Sequence, residues 1–470
     1  NDLLITNLEG ALFHPIPLKD CLWIPYKLNK LPDSFFNNIH NMSFKEISYI
    51  VAENLIGNEI PEDELKNIID ECFNFEIPLH KLTDNFHILE LFHGPTMTFK
   101  DVGARFMSKI IKYFIKGEKI DIIVSTSGDT GSAVADAFYN IPNIKVHILY
   151  PKNKISQVQE FQITNYGNNI IPYEVEGNFD DCQQIIKDTL SDKRIEKIMK
   201  LFPANSINIA RLIPQSFYYF WLYSQLKKNN KKINKIVLSV PSGNLGNLTG
   251  GILAYNMGLP IDMFIGATND NKAFPEYLYN NDIKTNQVFH TISNAMDIGI
   301  PNNLIRLKDI FGTNINMQKI ITSFSITEKE TIDTIKETYN KYNYTIDPHT
   351  AVGVKALQKY LVNDKNNDCI GIVLSTAHPC KFPEVMNKLP VSFSIPERIS
   401  KLTKNGKKYS IKNDYSIWRK MLIKSRNFKN ISLIGMAATG KSYMSEFISK
   451  KIGWNILEID YLIEKKYNKK

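Results

Sequence analysis

The stretch LELFHGPTMTFKDVGARFM, residues 89–107, decides how this chain is read. Residues 91–99 are apolar or small, and His93 is their one side chain able to carry charge. Lys100 follows, and beyond it the apolar positions Val102, Phe106, Ile110, Tyr113 and Phe114 recur as one face of a helix. Lys100 is therefore expected at a helix N-terminus, where the helix dipole gives a cation no advantage. Apolar neighbours also disfavour the ammonium form. Both effects favour a neutral, nucleophilic amine of the kind that forms Schiff bases with carbonyl cofactors. A surface lysine in a first helical turn is the plain alternative, and the low-charge flank argues against it.

Outward from this stretch the chain alternates strand, turn and helix. Apolar runs at 120–124, 144–149, 171–175, 235–240, 261–267 and 370–374 read as strands of parallel sheets, with helical segments between them. The expected class is α/β, with two α/β domains. Three turns follow strands: Thr126-Ser127-Gly128-Asp129-Thr130-Gly131, Gly243-Asn244-Leu245-Gly246-Asn247, and Ser375-Thr376-Ala377-His378. With Lys100 they can meet at the carboxyl edge of a sheet, where α/β proteins bind ligands. Backbone N–H groups at 243–247, leading into a helix, suit a phosphate. The hydroxyls and amides at 126–131 suit a carboxylate.

Residues 1–88 read as mainly helical. Ser43 with Glu46 fits a capping box for a helix ending at Gly57, and Pro61 suits the first position of another helix running to Phe73. Residues 388–430 are basic and mixed in composition. Near 428 a boundary precedes an apolar run at 431–434 and Gly435-Met436-Ala437-Ala438-Thr439-Gly440-Lys441-Ser442, which fits the phosphate-cradling pattern GxxxxGK[ST]. The expected division is 1–88, 89–428 and 429–470, the last an incomplete P-loop α/β segment. The start at Asn1, without an initiator methionine, and final residues that lie inside this unfinished segment read as a piece of a longer protein.

A length of 470 residues suits two or more domains of about 100–200 residues. The net charge of +9 is spread along the chain rather than gathered in a basic stripe, and no nucleic-acid-binding motif accompanies it. No apolar run is long enough for a membrane-spanning helix. Five cysteines without CxxC spacing give no zinc pattern, and no metal site is expected. Sparse cysteines suit a reducing cytosol, so a cytoplasmic location is expected.

The segment HGPT-x-x-FKDVGARFM resembles the cofactor-lysine region of threonine synthases, which depend on pyridoxal 5'-phosphate (PLP) and have PLP fold type II, the tryptophan synthase β-like fold. Asn208-Ile209-Ala210-Arg211 and Asp347-Pro348-His349-Thr350-Ala351 also match the family. The resemblance implies a lyase that converts O-phospho-L-homoserine and water to L-threonine and phosphate. It further implies that Lys100 holds PLP as a Schiff base and shuttles protons, and that residues 243–247 bind the cofactor phosphate. Asp129 then lies near the cofactor ring oxygen, where relatives such as cysteine synthases carry asparagine in TSGNTG. Thr126, Ser127 and Thr130 would face the substrate carboxylate. Ser375 is the first choice to face the pyridine nitrogen, with Thr376 in reserve. Arg211 fits a substrate phosphate or a structural salt bridge equally well, and His349 stays open. His378 reads as structural.

Residues 429–470 resemble the start of shikimate kinases, with Gly435, Gly440, Lys441 and Ser442 as nucleotide-binding positions and ATP with magnesium implied in a complete fusion. Glu458 stands where that family has an aspartate, and Asp460 matches its second acidic position. The rival readings are a threonine dehydratase or cysteine synthase relative, a nucleotide-binding kinase acting through 435–442, and a non-catalytic scaffold. Intact Lys100, TSGDTG and SGNLGN speak against the scaffold. The sequence sets no oligomeric state.

Overall fold

Eleven strands form two separate sheets in the computed structural model, which describes residues 4–18, 20–229, 235–283, 287–363, 369–402, 406–425 and 441–452. The first sheet has the order β1-β2-β10-β7-β8-β9. Its strands are β1 (Leu79–Thr83), β2 (Phe86–Glu90), β7 (Ile236–Pro241), β8 (Met263–Thr268), β9 (Ile321–Ser325) and β10 (Ile370–Ser375). Only the β1–β2 hairpin is antiparallel. The second sheet, wholly parallel, has the order β11-β5-β4-β3-β6. It contains β3 (Ile120–Ser125), β4 (Ile144–Pro151), β5 (Ile170–Glu176), β6 (Leu201–Pro203) and β11 (Tyr409–Lys412). Every residue of β3, β7 and β10 is buried, which is why these strands read as unbroken apolar runs.

The six expected strands are present, each within a residue or two of its expected ends. The other five escaped sequence reading for local reasons. β1 is mostly exposed, β6 has three residues, and β11 lies in the basic, mixed stretch 388–430, where no apolar run marks a strand. At the N-terminal end, Ser43 and Glu46 form the capping box of helix Phe44–Ile56, which Gly57 closes at φ +67°. Pro61 is the N-cap of helix Glu62–Cys72 rather than its first residue.

The chain divides into compact units Asn1–Tyr415 and Ser416–Lys470. Both sheets lie in the first. The second contains helices Tyr415–Ser425, from its second residue on, and Lys441–Ile452. Gly435 and Gly440, expected in the phosphate cradle, lie outside the described residues, as do Glu458 and Asp460. Lys441 and Ser442 open the Lys441–Ile452 helix. Among the described residues no helix is long and apolar enough to cross a membrane.

Candidate active site

The carboxyl ends of β3, β7 and β10 deliver Thr126, Ser242 and Thr376 to one cleft with an empty volume of about 940 Å³. Lys100 joins them because its loop is tied to the chain after β10. Phe99 N–H donates to the Thr376 carbonyl at 2.9 Å, His378 N–H donates to the Met97 carbonyl at 3.1 Å, and Thr98 bridges Ala377. Helix Lys100–Phe114 then starts at the lysine itself. Gly103, one turn on, lets this helix approach Arg211, since a Cβ there would lie 2.9 Å from the Arg211 carbonyl oxygen.

The Lys100 side chain is 15% exposed, and its Nζ lies 5.5 Å from the centre of the Phe99 ring. Burial pushes its pKa down, and the positive charges of Lys381 and Arg211 act the same way against the pull of Asp129. Asp129 Oδ2 stands 3.7 Å from Lys100 Nζ, beyond hydrogen-bond reach. The other oxygen, Oδ1, accepts from Lys381 Nζ and Gln159 Nε2, each at 2.9 Å. Burial alone would raise the Asp129 carboxyl, but the ammonium groups of Lys381 and Lys100 hold it well below the usual carboxylate range. Thr126 Oγ1 braces this turn by accepting from Gly128 N–H at 2.9 Å and Gly131 N–H at 2.8 Å. Ser127 and Thr130 line the cleft beside it.

Opposite them, Leu245 takes the left-handed conformation (φ 59°) and serves as N-cap of helix Gly246–Asn256. No hydrogen bond among the described residues takes up the N–H groups of Gly243, Asn244 or Leu245. Those of Gly246 and Asn247 open the helix, where no earlier turn supplies carbonyls. Such a row of donors is an anion seat. Its shape is held from behind. The Asn244 carbonyl accepts from Asn303 Nδ2 at 2.9 Å, and Asn247 Oδ1 accepts from the Tyr218 and Tyr219 hydroxyls at 2.6 and 2.8 Å. Asn247 Nδ2 and Arg211 Nε are buried and have no hydrogen-bond partner among the described residues, and both residues line the cleft. Arg211 Nη1 donates to the Ala204 carbonyl at 2.7 Å, and burial pushes its pKa down to about 10. It makes no close ion pair among the described residues, and the carboxylate of Asp101 acts on it only from a distance.

Ser375 and Thr376 part company here. Thr376 lines the cleft, whereas the Ser375 hydroxyl is hydrogen-bonded to Thr350 Oγ1 at 2.9 Å, and Thr350 in turn donates to Asp347. His349, also in the lining, has Nδ1 2.9 Å from Asp347 Oδ2, and its Nε2 accepts from Ala295 N–H at 3.2 Å. It therefore clamps the loop that closes over Gly243, where an added Cβ would meet the Ala295 carbonyl at 2.8 Å. His378 lies outside the lining and caps a short helix, its Nδ1 accepting from Cys380 N–H at 3.2 Å.

Sequence reasoning missed Lys381 and Gln159. The run 369–382 is apolar or small apart from His378 and Lys381, the same low-charge signal that singles out Lys100. It also missed Arg306, wholly buried and bonded to the carbonyls of Trp23, Ser206 and Ile207, which supports Asn303 behind the anion seat.

A buried lysine facing an anion seat, at the joined strand ends of two parallel-rich sheets, defines a class: the α/β enzymes that use PLP. A family model described as pyridoxal-phosphate dependent enzyme matches residues 77–375. Two more, threonine synthase N terminus and threonine synthase C-terminal, match residues 7–73 and 350–420. Threonine synthase of Buchnera aphidicola subsp. Acyrthosiphon pisum (strain APS) is 39% identical over 396 residues, covering 84% of this chain and 91% of that protein. The crystal structure of threonine synthase from Escherichia coli superposes with a TM-score of 0.84 at 34% identity, covering 89% of this chain and 97% of that one. A PLP-bound threonine synthase from Brucella melitensis gives 0.82 at 29%, covering 90% and 97%. The chain belongs to the threonine synthase family.

Proposed function

We propose that this chain makes L-threonine and phosphate from O-phospho-L-homoserine and water, with Lys100 as the residue that attaches PLP. The observation that carries the reading is the pairing of a desolvated Lys100 with an anion seat whose donors have no partner among the described residues. Those donors fit a phosphorylated cofactor: the N–H groups of 243–247 and Asn247 Nδ2 would hold its phosphate, and Thr376, in the lining, would be the hydroxyl available to its ring nitrogen. When bound, PLP supplies an electron sink for carbanions on the substrate.

The protein's own groups do the rest. Lys100, its pKa pushed down by burial, moves protons at the α and β carbons. Ser127, Thr130 and the backbone amides of their turn hold the substrate carboxylate. Arg211, a buried cation with an open Nε, takes the phosphate of the substrate, where a planar guanidinium offers paired donors. His349 keeps the covering loop in place and so limits water in the cleft. Cysteines that form no disulfide, four of the five buried, support a cytoplasmic setting. The test is steady-state phosphate release from O-phosphohomoserine with stoichiometric threonine, beside a serine control. Deamination of serine without phosphate-coupled threonine formation would favour the dehydratase alternative.

For the tail we propose a nucleotide-phosphate cradle at 435–442, with Lys441 as the cation and Ser442 as the metal-side hydroxyl of a shikimate-kinase-like segment. The helix Lys441–Ile452, which takes in the last two positions of the pattern, supports this. Phosphoryl transfer also needs an acceptor and a metal positioned together. The 470-residue chain should therefore bind ATP weakly, lose that binding in Lys441→Ala, and leave shikimate unphosphorylated. Lys441-dependent shikimate phosphorylation would overturn this.

A further inference from the structure

Two buried lysines share one carboxylate beneath the cleft, and only one of them faces it. Lys381 is wholly buried and does not line the cleft. Its three N–H bonds have three acceptors: Asp129 Oδ1 at 2.9 Å, the Thr96 carbonyl at 2.8 Å and Gln162 Oε1 at 2.8 Å. That set saturates an ammonium ion and leaves it nothing to offer a substrate. Lys100, by contrast, has Asp129 Oδ2 at 3.7 Å and an aromatic ring as its neighbours.

We propose that Lys381 is a positioning residue whose fixed positive charge neutralises Asp129 and so prevents that carboxylate from holding Lys100 as an inert ammonium ion. The inference rests on the reading of Lys100 as the attachment residue. An isolated buried carboxylate beside a lysine favours the charged, non-nucleophilic amine. Here the short bonds to Asp129 go to the oxygen turned from Lys100, and both come from the far side, from Lys381 and Gln159. Of the two lysines, Lys100 gives up its proton at least cost, because Lys381 would lose one of its three donated bonds and the charge that strengthens the other two. Around the cluster, Arg211 repels a proton on Lys100, Asp101 offsets part of the charge of Lys381, and His349, whose Nε2 accepts from Ala295 N–H, lines the same cleft. Asp129 and Lys381 thus form one unit of zero net charge, and a neutral pair of side chains should replace both together where neither can be replaced alone.

The test compares the full chain, stripped of cofactor, as wild type, Lys381→Met, Asp129→Asn and the double variant. The rate of covalent PLP capture is followed by absorbance across pH, with borohydride trapping and peptide mapping for each protein. Lys381→Met should move the capture profile to higher pH by about one unit, and so slow capture near neutrality about tenfold. The double variant should return to within about threefold of wild type, since removing both members of a buried pair costs less than removing one. Should Lys381→Met fail to fold, the double variant decides: folding with near-normal capture supports the proposal, and failure to fold or to capture overturns it. A folded Lys381→Met protein with an unmoved profile also overturns it. Label on a lysine other than Lys100 in the wild type would sink the attachment reading instead, whereas label on Lys100 throughout, without rescue, sinks this proposal alone.

Discussion

The tyrosine pair behind the anion seat offers a sharp test of how that seat is held. Tyr218 and Tyr219 are wholly buried, and both hydroxyls donate to Asn247 Oδ1, at 2.6 and 2.8 Å. Tyr219 also approaches the Asn247 carbonyl at 2.9 Å. Either Tyr→Phe change keeps the ring in place and leaves Oδ1 one donor, so each should cost about 1 kcal/mol, the net worth of an ordinary hydrogen bond. Removing both strands a buried amide oxygen, which adds its full desolvation cost of about 1–3 kcal/mol. The double variant should therefore lose about 3–5 kcal/mol, exceeding the sum of the singles by a coupling within the range seen for groups sharing one network. With Oδ1 unanchored, Asn247 no longer presents Nδ2 in one direction. PLP affinity should then fall about tenfold in the double variant, one charge-assisted hydrogen bond's worth, and less than about threefold in each single. Urea unfolding and equilibrium PLP titration read the two effects. Strict additivity of the stabilities, with PLP affinity unchanged in the double variant, would refute the reasoning.

Two further outcomes follow from the same structure. A Cβ on Gly246 would meet nothing closer than 3.5 Å within the protein, so Gly246→Ala should fold normally. Any loss of PLP retention then reports crowding of the bound phosphate, and normal retention in that variant, and in Gly246→Val, would remove the loop from the site. Burial pushes the His378 pKa down to about 4 from 6.5. Between those values the unfolded chain binds the extra proton, so stability rises with pH across this window and is lost on acidification, by about 3 kcal/mol from this group. His378→Asn, which can keep the cap on Cys380 N–H, should flatten the urea-unfolding profile between pH 4.5 and 7. An unchanged slope would show that another group drives it.

Much of the site was legible because its parts are local. Lys100 opens a helix whose apolar face is periodic, and the TSGDTG and SGNLGN turns each join a strand to a helix within a few residues, where hydrophobic periodicity reveals both neighbours. What stayed hidden depends on long-range packing. Lys381 meets Asp129 across 252 positions and Thr96 across 285, and no local pattern encodes either meeting. Ser375 and Thr376 are adjacent at a strand end, where successive side chains face opposite ways. The packing of β10 against helix Pro348–Asn363 sends Ser375 inward, to Thr350, and leaves Thr376 to the cleft. Arg306 carries no sequence signal because its hydrogen-bonding partners are mostly backbone carbonyls. The short strands β6 and β11 exist because a neighbouring strand offers a parallel edge, not because their own residues demand it.

The central claim is that one of two buried lysines at this cleft, and not the other, is the nucleophile. Borohydride reduction of the PLP-loaded chain, followed by proteolysis and mass mapping, tests it most directly. The account predicts a pyridoxyl group on Lys100 and an unmodified Lys381. A pyridoxyl group on Lys381, or on any lysine other than Lys100, would contradict it.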